Sequence, residues 1–296
     1  MAATTADAVV PPAGAPAEAK ERIEWRLATP LAFAYMAFFA APLLLLFWVS
    51  FHEDNELTRM GPGQWIRFLS DPFYVGVVWQ TMVLGVATVL TATLLSYPFA
   101  LVFYGASPAV RKLMLFIVVL PLLTSVVVRT FAWIAILSRE GVINNTLIAL
   151  GITTAPVPLL QTQYGLIIAL MQIEMPLMLL PLLAVMQGID RSLVEASRSL
   201  GASHWRTFLR VLLPLSVPGW IAGATLVFAS STTAFISQSV IGGGRLVYLP
   251  SVIWQQAMVI SDWPFAAVAS VMLLISVLTG ILALSAIGRL IDPRGK

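Results

Sequence analysis

Two charged side chains lie where charge is almost absent: Arg129, inside the apolar run Leu113 to Leu137, and Glu174, inside the run Tyr164 to Gln187. A charge at the centre of a membrane helix costs at least ~2.5 kcal/mol, so it marks a solute pathway or a buried pair. Counted from Tyr164 at about 1.5 Å per residue, Glu174 lies about 15 Å deep, the costliest depth. Pro176, two residues on, frees a backbone carbonyl nearby, as at broken helices that line transport sites. A carboxylate placed there suits the lining of a cavity in which it offsets the desolvation of a cation. The competing reading is structural: Glu174 paired with a neighbour such as Arg129, or carrying a proton. Arg129 lies about 24 Å from the inner end of its run, close to the outer interface, where it can snorkel as an anchor or serve a gate. Ser230, Ser231, Thr232 and Thr233, with Ser237 and Gln238 one to two turns on, offer hydroxyl groups and an amide to a solute or to helix packing. Asp262-Trp263-Pro264 opens the last apolar run; it is an ordinary helix start from which Asp262 could meet a soluble partner or a solute.

Other chemistries find no support. There is no Cys, which removes disulfides and thiolate metal sites. No G-x-x-x-x-G-K-[ST] motif occurs, and "GGGR" at 242–245 lacks the Lys and hydroxyl of a phosphate cradle, so the chain is expected not to hydrolyse ATP. His52 and His204 stand alone, on opposite faces of the membrane in the topology below, so no metal is expected. Ser138 and Ser199 have no base near them in sequence. "NNT" at 144–146 fits a glycosylation acceptor formally and is read as chance.

The elements that position these residues follow from composition. Of 296 residues, 59% are hydrophobic and 10% charged. The mean hydropathy is +0.90. A soluble domain carries about 25% charged residues, so this is an all-α integral membrane protein. A crossing helix needs roughly 20 apolar residues. The runs Pro30 to Phe51, within Pro72 to Val110, Leu113 to Leu137, Tyr164 to Gln187, Val211 to Gly244 and Trp263 to Gly288 predict six spans. Lys and Arg set the orientation. With both termini inside, twelve basic residues fall on the cytoplasmic side (Lys20, Arg22, Arg26, Arg111, Lys112, Arg191, Arg198, Arg206, Arg210, Arg289, Arg294, Lys296) and four outside (Arg59, Arg67, Arg139, Arg245). Ahead of the six-span domain, residues 30–290, the leader is Ala- and Pro-rich and predicted disordered to about residue 18. It is not expected to be a cleaved signal peptide, since the first apolar run begins only at Pro30 and is longer than a signal's apolar region. "AEAKERIEWRLATP" is either an interfacial amphipathic helix, with Ile23 and Leu27 one turn apart, or a solvated leader. Residues 291–296 form a cytoplasmic tail.

Between the fourth and fifth runs, residues 190–214 include "DRSLVEASRSLGASHWRTFLR". Apolar residues recur at Leu193, Ala196 and Leu200, then at Trp205, Phe208 and Leu209, a helical spacing interrupted at Gly201. Two short amphipathic helices around a glycine turn are predicted, with Pro214 and Pro218 at the start of the fifth span. Such a surface helix, exposing Glu195 and several basic residues, suits a partner protein; the plainer reading is a positive-inside loop.

Glu195, Ala196, Ser197, Gly201, Val211, Leu213 and Pro214 match in order and spacing the EAA signature of binding-protein-dependent ABC importer permeases, with Ser197 in place of Ala and Val211 in place of Ile. Residues 120–152, 175–203 and 253–270 resemble the spermidine/putrescine branch, through Arg129-Thr130, Gly141 with Asn144, and Asp262-Trp263-Pro264. Permeases for opines, other amines, sulfur oxyanions or ferric iron share parts of these. The resemblance implies the type I importer permease fold in a bacterial inner membrane. It implies that Glu195, Ala196, Ser197, Gly201, Ala202 and Pro214 couple to an ATPase dimer that binds ATP and Mg, this chain holding no cofactor. It implies a second, related permease chain and a substrate-binding protein. Solute would then move by alternating access, with Glu174, Arg129, Ser231, Thr232 and Asp262 as pathway candidates. A secondary transporter is the alternative class; it would need internal repeats and more buried carboxylates.

Overall fold

The computed structural model describes the backbone of residues 17–291 and the side chains of residues 29–290. The predicted disordered leader and the tail at 291–296 lie outside the described residues, apart from the few at their inner edges, as do the side chains of Ile23 and Leu27. The regular elements are helical: α1 (Ala17–Val49), α2 (Gly63–Ser70), α3 (Pro72–Gly105), α4 (Pro108–Val119), α5 (Val126–Leu137), α6 (Val142–Ala149), α7 (Gln163–Gln187), α8 (Arg191–Ser199), α9 (His204–Thr207), α10 (Leu213–Thr233), α11 (Phe235–Gly242), α12 (Leu249–Trp254) and α13 (Trp263–Ile291). A 3₁₀ turn follows α4, and π-helical turns follow α9 (Phe208–Leu212) and α12 (Gln255–Ile260).

The described residues fall into two units, one ending at Trp48 and one starting at Val49. In the first, Thr29–Val49 is a 21-residue apolar helix, about 31 Å long and sufficient for the hydrocarbon layer. Its Leu31, Phe33, Phe38 and Leu44 are exposed, as lipid-facing side chains are. In the second unit, Pro72–Gly105, Gln163–Gln187, His204–Thr233 and Trp263–Leu290 are long and apolar enough to cross.

The predicted span Leu113 to Leu137 is the exception. It is two helical segments, Pro108–Leu123 and Val126–Ala149, bent by 100°, which together make the sixth crossing when taken as one broken span. The cause is local. Pro121 has no N–H to give to the ladder, Thr124 is extended (φ −99°, ψ 148°), and Ser125 restarts the helix by accepting from the Val127 N–H at 3.3 Å. The predicted fifth span also ends early: α10 stops at Thr233, and Ala234 (φ −73°, ψ 61°) turns the chain into α11. Gly243 and Gly244, both at positive φ, then carry the chain toward α12, a short apolar helix that the charge-free runs do not reveal.

At the centre, α7 packs on α3 and α10. The close approach of α7 and α10 depends on Gly219 and Gly223, four residues apart, a small-xxx-small spacing. A Cβ at Gly219 would stand 2.8 Å from the Pro181 carbonyl oxygen, and one at Gly223 2.8 Å from that of Met178. One end of the bundle is held by Phe103, Leu182, Met186, Val194 and Leu212. The other is held by Phe68, Val77, Leu249, Val252 and Phe265.

Candidate functional site

α7 carries Glu174 to the middle of the bundle, where it is only 6% exposed. Two polar groups act on its carboxylate, the Ser230 hydroxyl of α10 and the Arg129 guanidinium of α5. Arg129 does not ion-pair with it: Nη1 donates to the carbonyl of Ile173, the preceding residue, at 3.1 Å, and Nε has no partner. The structure therefore places Arg129 at the level of mid-α7 instead of near the outer interface. The depth count assumed one straight helix, and the bend at Thr124 and Ser125 restarts α5 only one turn before Arg129. Trp133, one turn on, donates Nε1 to Gln172 Oε1 at 3.0 Å, a second tie from α5 to the same stretch of α7.

Above Glu174, α10 breaks. Ser231 and Thr232 are buried, and their hydroxyls donate back to the Phe228 carbonyl at 3.2 and 2.7 Å, so they serve helix packing in this conformation. Their own carbonyls, which the break leaves without helical donors, accept from Gln238 Nε2 of α11 at 2.9 and 3.2 Å. Those two acceptors fix the amide orientation. Gln238 Oε1 is thereby left buried with no donor, at a cost of about 1–3 kcal/mol. Next to it, the Ser237 hydroxyl donates to Thr130 Oγ1 at 3.0 Å, since Thr130 spends its own proton on the Val126 carbonyl. The structure thus brings Arg129 and Glu174 together with Ser230, while Ser231 and Thr232 turn their hydroxyls back to α10 and offer only main-chain carbonyls, to Gln238, which closes the helix break. Nothing in local sequence distinguishes Gln238 as a cap, because its two acceptors lie on another helix.

The glycine turn is as predicted. Asp190 caps α8 by accepting from the Ser192 N–H at 2.9 Å, and this hydrogen bond holds its carboxyl below the ordinary 3.8. Gly201 stands at φ +80°, a region costly for other residues. Ala202 is half-buried beside it. Ser203 caps α9, its hydroxyl oxygen accepting from the Arg206 N–H at 3.3 Å. Ser197, where the family pattern has Ala, hydrogen-bonds Thr207 at 3.0 Å and clips α8 to α9. Val194 anchors α8 in the core, while Glu195, Ala196, Arg198, Leu200 and Trp205 are exposed. Pro214 takes the first turn of α10.

Asp262 stands apart from the centre, at the opposite end of the bundle from α8. It accepts from the Phe265 N–H at 3.2 Å, capping α13, and pairs with Arg67 Nη1 at 3.0 Å. The Arg67 guanidinium also lies 4.4 Å over the Phe265 ring. Asn144 is fully buried, with its amide bonded to Ser138 and Val157, which removes it as a glycan acceptor. His52 is buried and His204 exposed. Among the described residues no three of His, Cys, Asp and Glu converge. Clefts of about 440, 300 and 270 Å³ open beside Ser239 and Trp254, beside Arg198 and His204, and beside Pro121 and Pro176; Glu174 lines none of these.

Comparison with known proteins adds the following. The family model for "Binding-protein-dependent transport system inner membrane component" matches residues 14–296. The chain is 34% identical over 256 residues to the spermidine/putrescine transport system permease protein PotB of Haemophilus influenzae, covering 83% of this chain and 87% of that one. It is 33% identical over 238 residues to the Escherichia coli protein of the same name, covering 79% and 86%. Among solved structures, a bacterial alginate ABC transporter in complex with an alginate pentasaccharide-bound periplasmic protein superposes with a TM-score of 0.74 at 18% identity, covering 93% of this chain and 96% of that one.

Proposed function

Because the chain belongs to the family of binding-protein-dependent transport system inner membrane components, a multi-pass ABC importer permease of the bacterial inner membrane, we propose that its substrate is a polyamine of the spermidine/putrescine kind. The observation that carries this reading is identity of about one third with spermidine/putrescine permeases over most of both chains. Glu174 agrees with it. A buried carboxylate with no direct ion pair suits a cationic solute, whose charge can offset the cost of burying that of Glu174.

In this reading, both termini and the loop at 190–214 face the cytoplasm, following the distribution of Lys and Arg. A separate ATPase dimer grips α8 through Glu195, Ala196, Ser197, Gly201 and Ala202 and hydrolyses the ATP. A second, related permease chain completes the pathway, and a soluble binding protein delivers the solute to the opposite face. The mechanical path is continuous. Val194 and the Ser197 to Thr207 bond tie α8 to α9, and α9, its π-helical turn and α10 run as one 30-residue helix, about 45 Å from His204 to Thr233. Motion imposed on α8 therefore reaches Ser230 beside Glu174, and the helices rock between outward- and inward-open states.

The test is reconstitution with the ATPase, the second permease and the binding protein in proteoliposomes. ATP-dependent uptake of radiolabelled spermidine or putrescine is expected, and the chain alone is expected to carry neither. Uptake confined to an anionic or ferric solute would overturn the polyamine assignment.

A further inference from the structure

The break between α10 and α11 collects acceptors and almost no free donors. Gln238 is fully buried, its Nε2 is spent on the Ser231 and Thr232 carbonyls at 2.9 and 3.2 Å, and its Oε1 has no donor. The C-terminal end of α10 adds the partial negative charge of its dipole. One residue before Ser231, Ser230 faces the Glu174 carboxylate. Arg129, a cation of this neighbourhood, gives Nη1 to the Ile173 carbonyl at 3.1 Å and makes no ion pair with Glu174, though its charge acts on that carboxylate and its Nε has no acceptor. A group that brings N–H donors and a positive charge would complete this arrangement, and that is an alkylammonium.

Resting on the polyamine reading above, we propose that Gln238 Oε1 binds one ammonium group of the substrate, together with the Glu174 carboxylate, as the substrate passes the α10–α11 break. The amide is preorganised for this task, because the two main-chain carbonyls hold it in a single orientation. The site is shut in this conformation, with Gln238 at 0% and Glu174 at 6% exposure. Opening it requires α7, which carries Glu174, to part from α11, while the two bonds from Gln238 keep α10 and α11 together.

Two substitutions separate binding from mere closure of the helix break. Gln238→Lys keeps donors for the two carbonyls but removes the acceptor and adds a positive charge. Gln238→Met removes donors and acceptor together. Each is placed in the complete importer, and assembly is read from ATP hydrolysis stimulated by the binding protein. Loss of one charge-assisted hydrogen bond lowers spermidine uptake by about tenfold to a hundredfold, and the Lys variant is expected to be the slower of the two. If Gln238 merely holds the break, the order reverses: the Lys variant transports as wild type while the Met variant fails, and the proposal is overturned. A wild-type importer that carries no polyamine overturns the substrate assignment itself, which the wild-type arm reads separately. If neither variant assembles, the wild-type importer imaged with spermidine decides. An ammonium within hydrogen-bonding distance of Gln238 Oε1 supports the site, and density lodged away from it overturns it.

Discussion

Replacing Gly223 by Ala adds one methyl group at the closest approach of α7 and α10. Its Cβ would stand 2.8 Å from the Met178 carbonyl oxygen, 2.9 Å from the Met178 sulfur and 3.0 Å from the Met178 Cα. Ordinary contact begins near 3.4 Å, so the helices must separate by about half an ångström. The obstruction is backbone, which no rotamer change relieves, and overpacking of this sort costs about 1–3 kcal/mol. Gly76 in α3 supplies the control, because a Cβ there meets nothing within 4 Å. Gly76→Ala should gain up to about 1 kcal/mol through helix propensity alone. Thermal unfolding of the purified chain in detergent compares the two: Gly223→Ala should melt below wild type and Gly76→Ala at or above it. Since the same contact seats Ser230 against Glu174, uptake by the Gly223 variant should fall as well. Equal melting of the two variants would refute the close-packing argument and the placement of the central site that depends on it.

Glu174→Gln should cut polyamine uptake by about tenfold or more while ATP hydrolysis and assembly persist, measured in the same proteoliposomes; full uptake would remove Glu174 from the pathway. Glu195→Lys and Gly201→Pro should uncouple the two activities, leaving ATP turnover without transport and membrane insertion intact; normal coupling in both would count against docking at α8. The Asp190 cap has a defined pH sense. Its folded pKa is depressed, so the stabilisation is complete above 3.8 and disappears as pH falls through the lower folded value. Amide-exchange protection of α8, corrected for intrinsic rates, should drop over that acidic interval and should be lost at neutral pH in Asp190→Ala. At the opposite end, Asp262→Ala should destabilise more than Arg67→Ala, because it removes the α13 cap along with an exposed pair worth about 0–1 kcal/mol. Equal melting temperatures would mean that the cap is worth no more than the contact of Arg67 with the Phe265 ring, which Arg67→Ala removes along with the pair.

Much of this architecture was legible in the sequence, for identifiable reasons. Charge-free runs locate the long helices because lipid penalises charge all along a span, and the apolar spacing interrupted at Gly201 announces α8, its turn and α9. What escaped is directional. Hydropathy reads Leu113 to Leu137 as one crossing, since Thr124 and Ser125 are no more polar than many residues inside spans, yet their extended backbone turns the chain by 100°. That turn relocates Arg129, whose depth could not be counted through it. Gln238 is illegible for a different reason: its partners are carbonyls of α10, and main-chain acceptors leave no trace in residue types. The Gly219 and Gly223 spacing gains meaning only from the neighbouring Pro181 and Met178 carbonyls, which no residue type announces.

The central claim is that force enters at α8 from a cytosolic motor, and one measurement addresses it directly. The chain has no Cys, so Ala196→Cys introduces a single thiol on the exposed face of α8. In the assembled importer, a thiol placed in the surface groove of the ATPase should cross-link to it, and should do so from the cytoplasmic side only. A thiol at position 196 that reacts with membrane-impermeant reagent from the external face, or that never reaches the ATPase in an importer competent for uptake, would contradict the account.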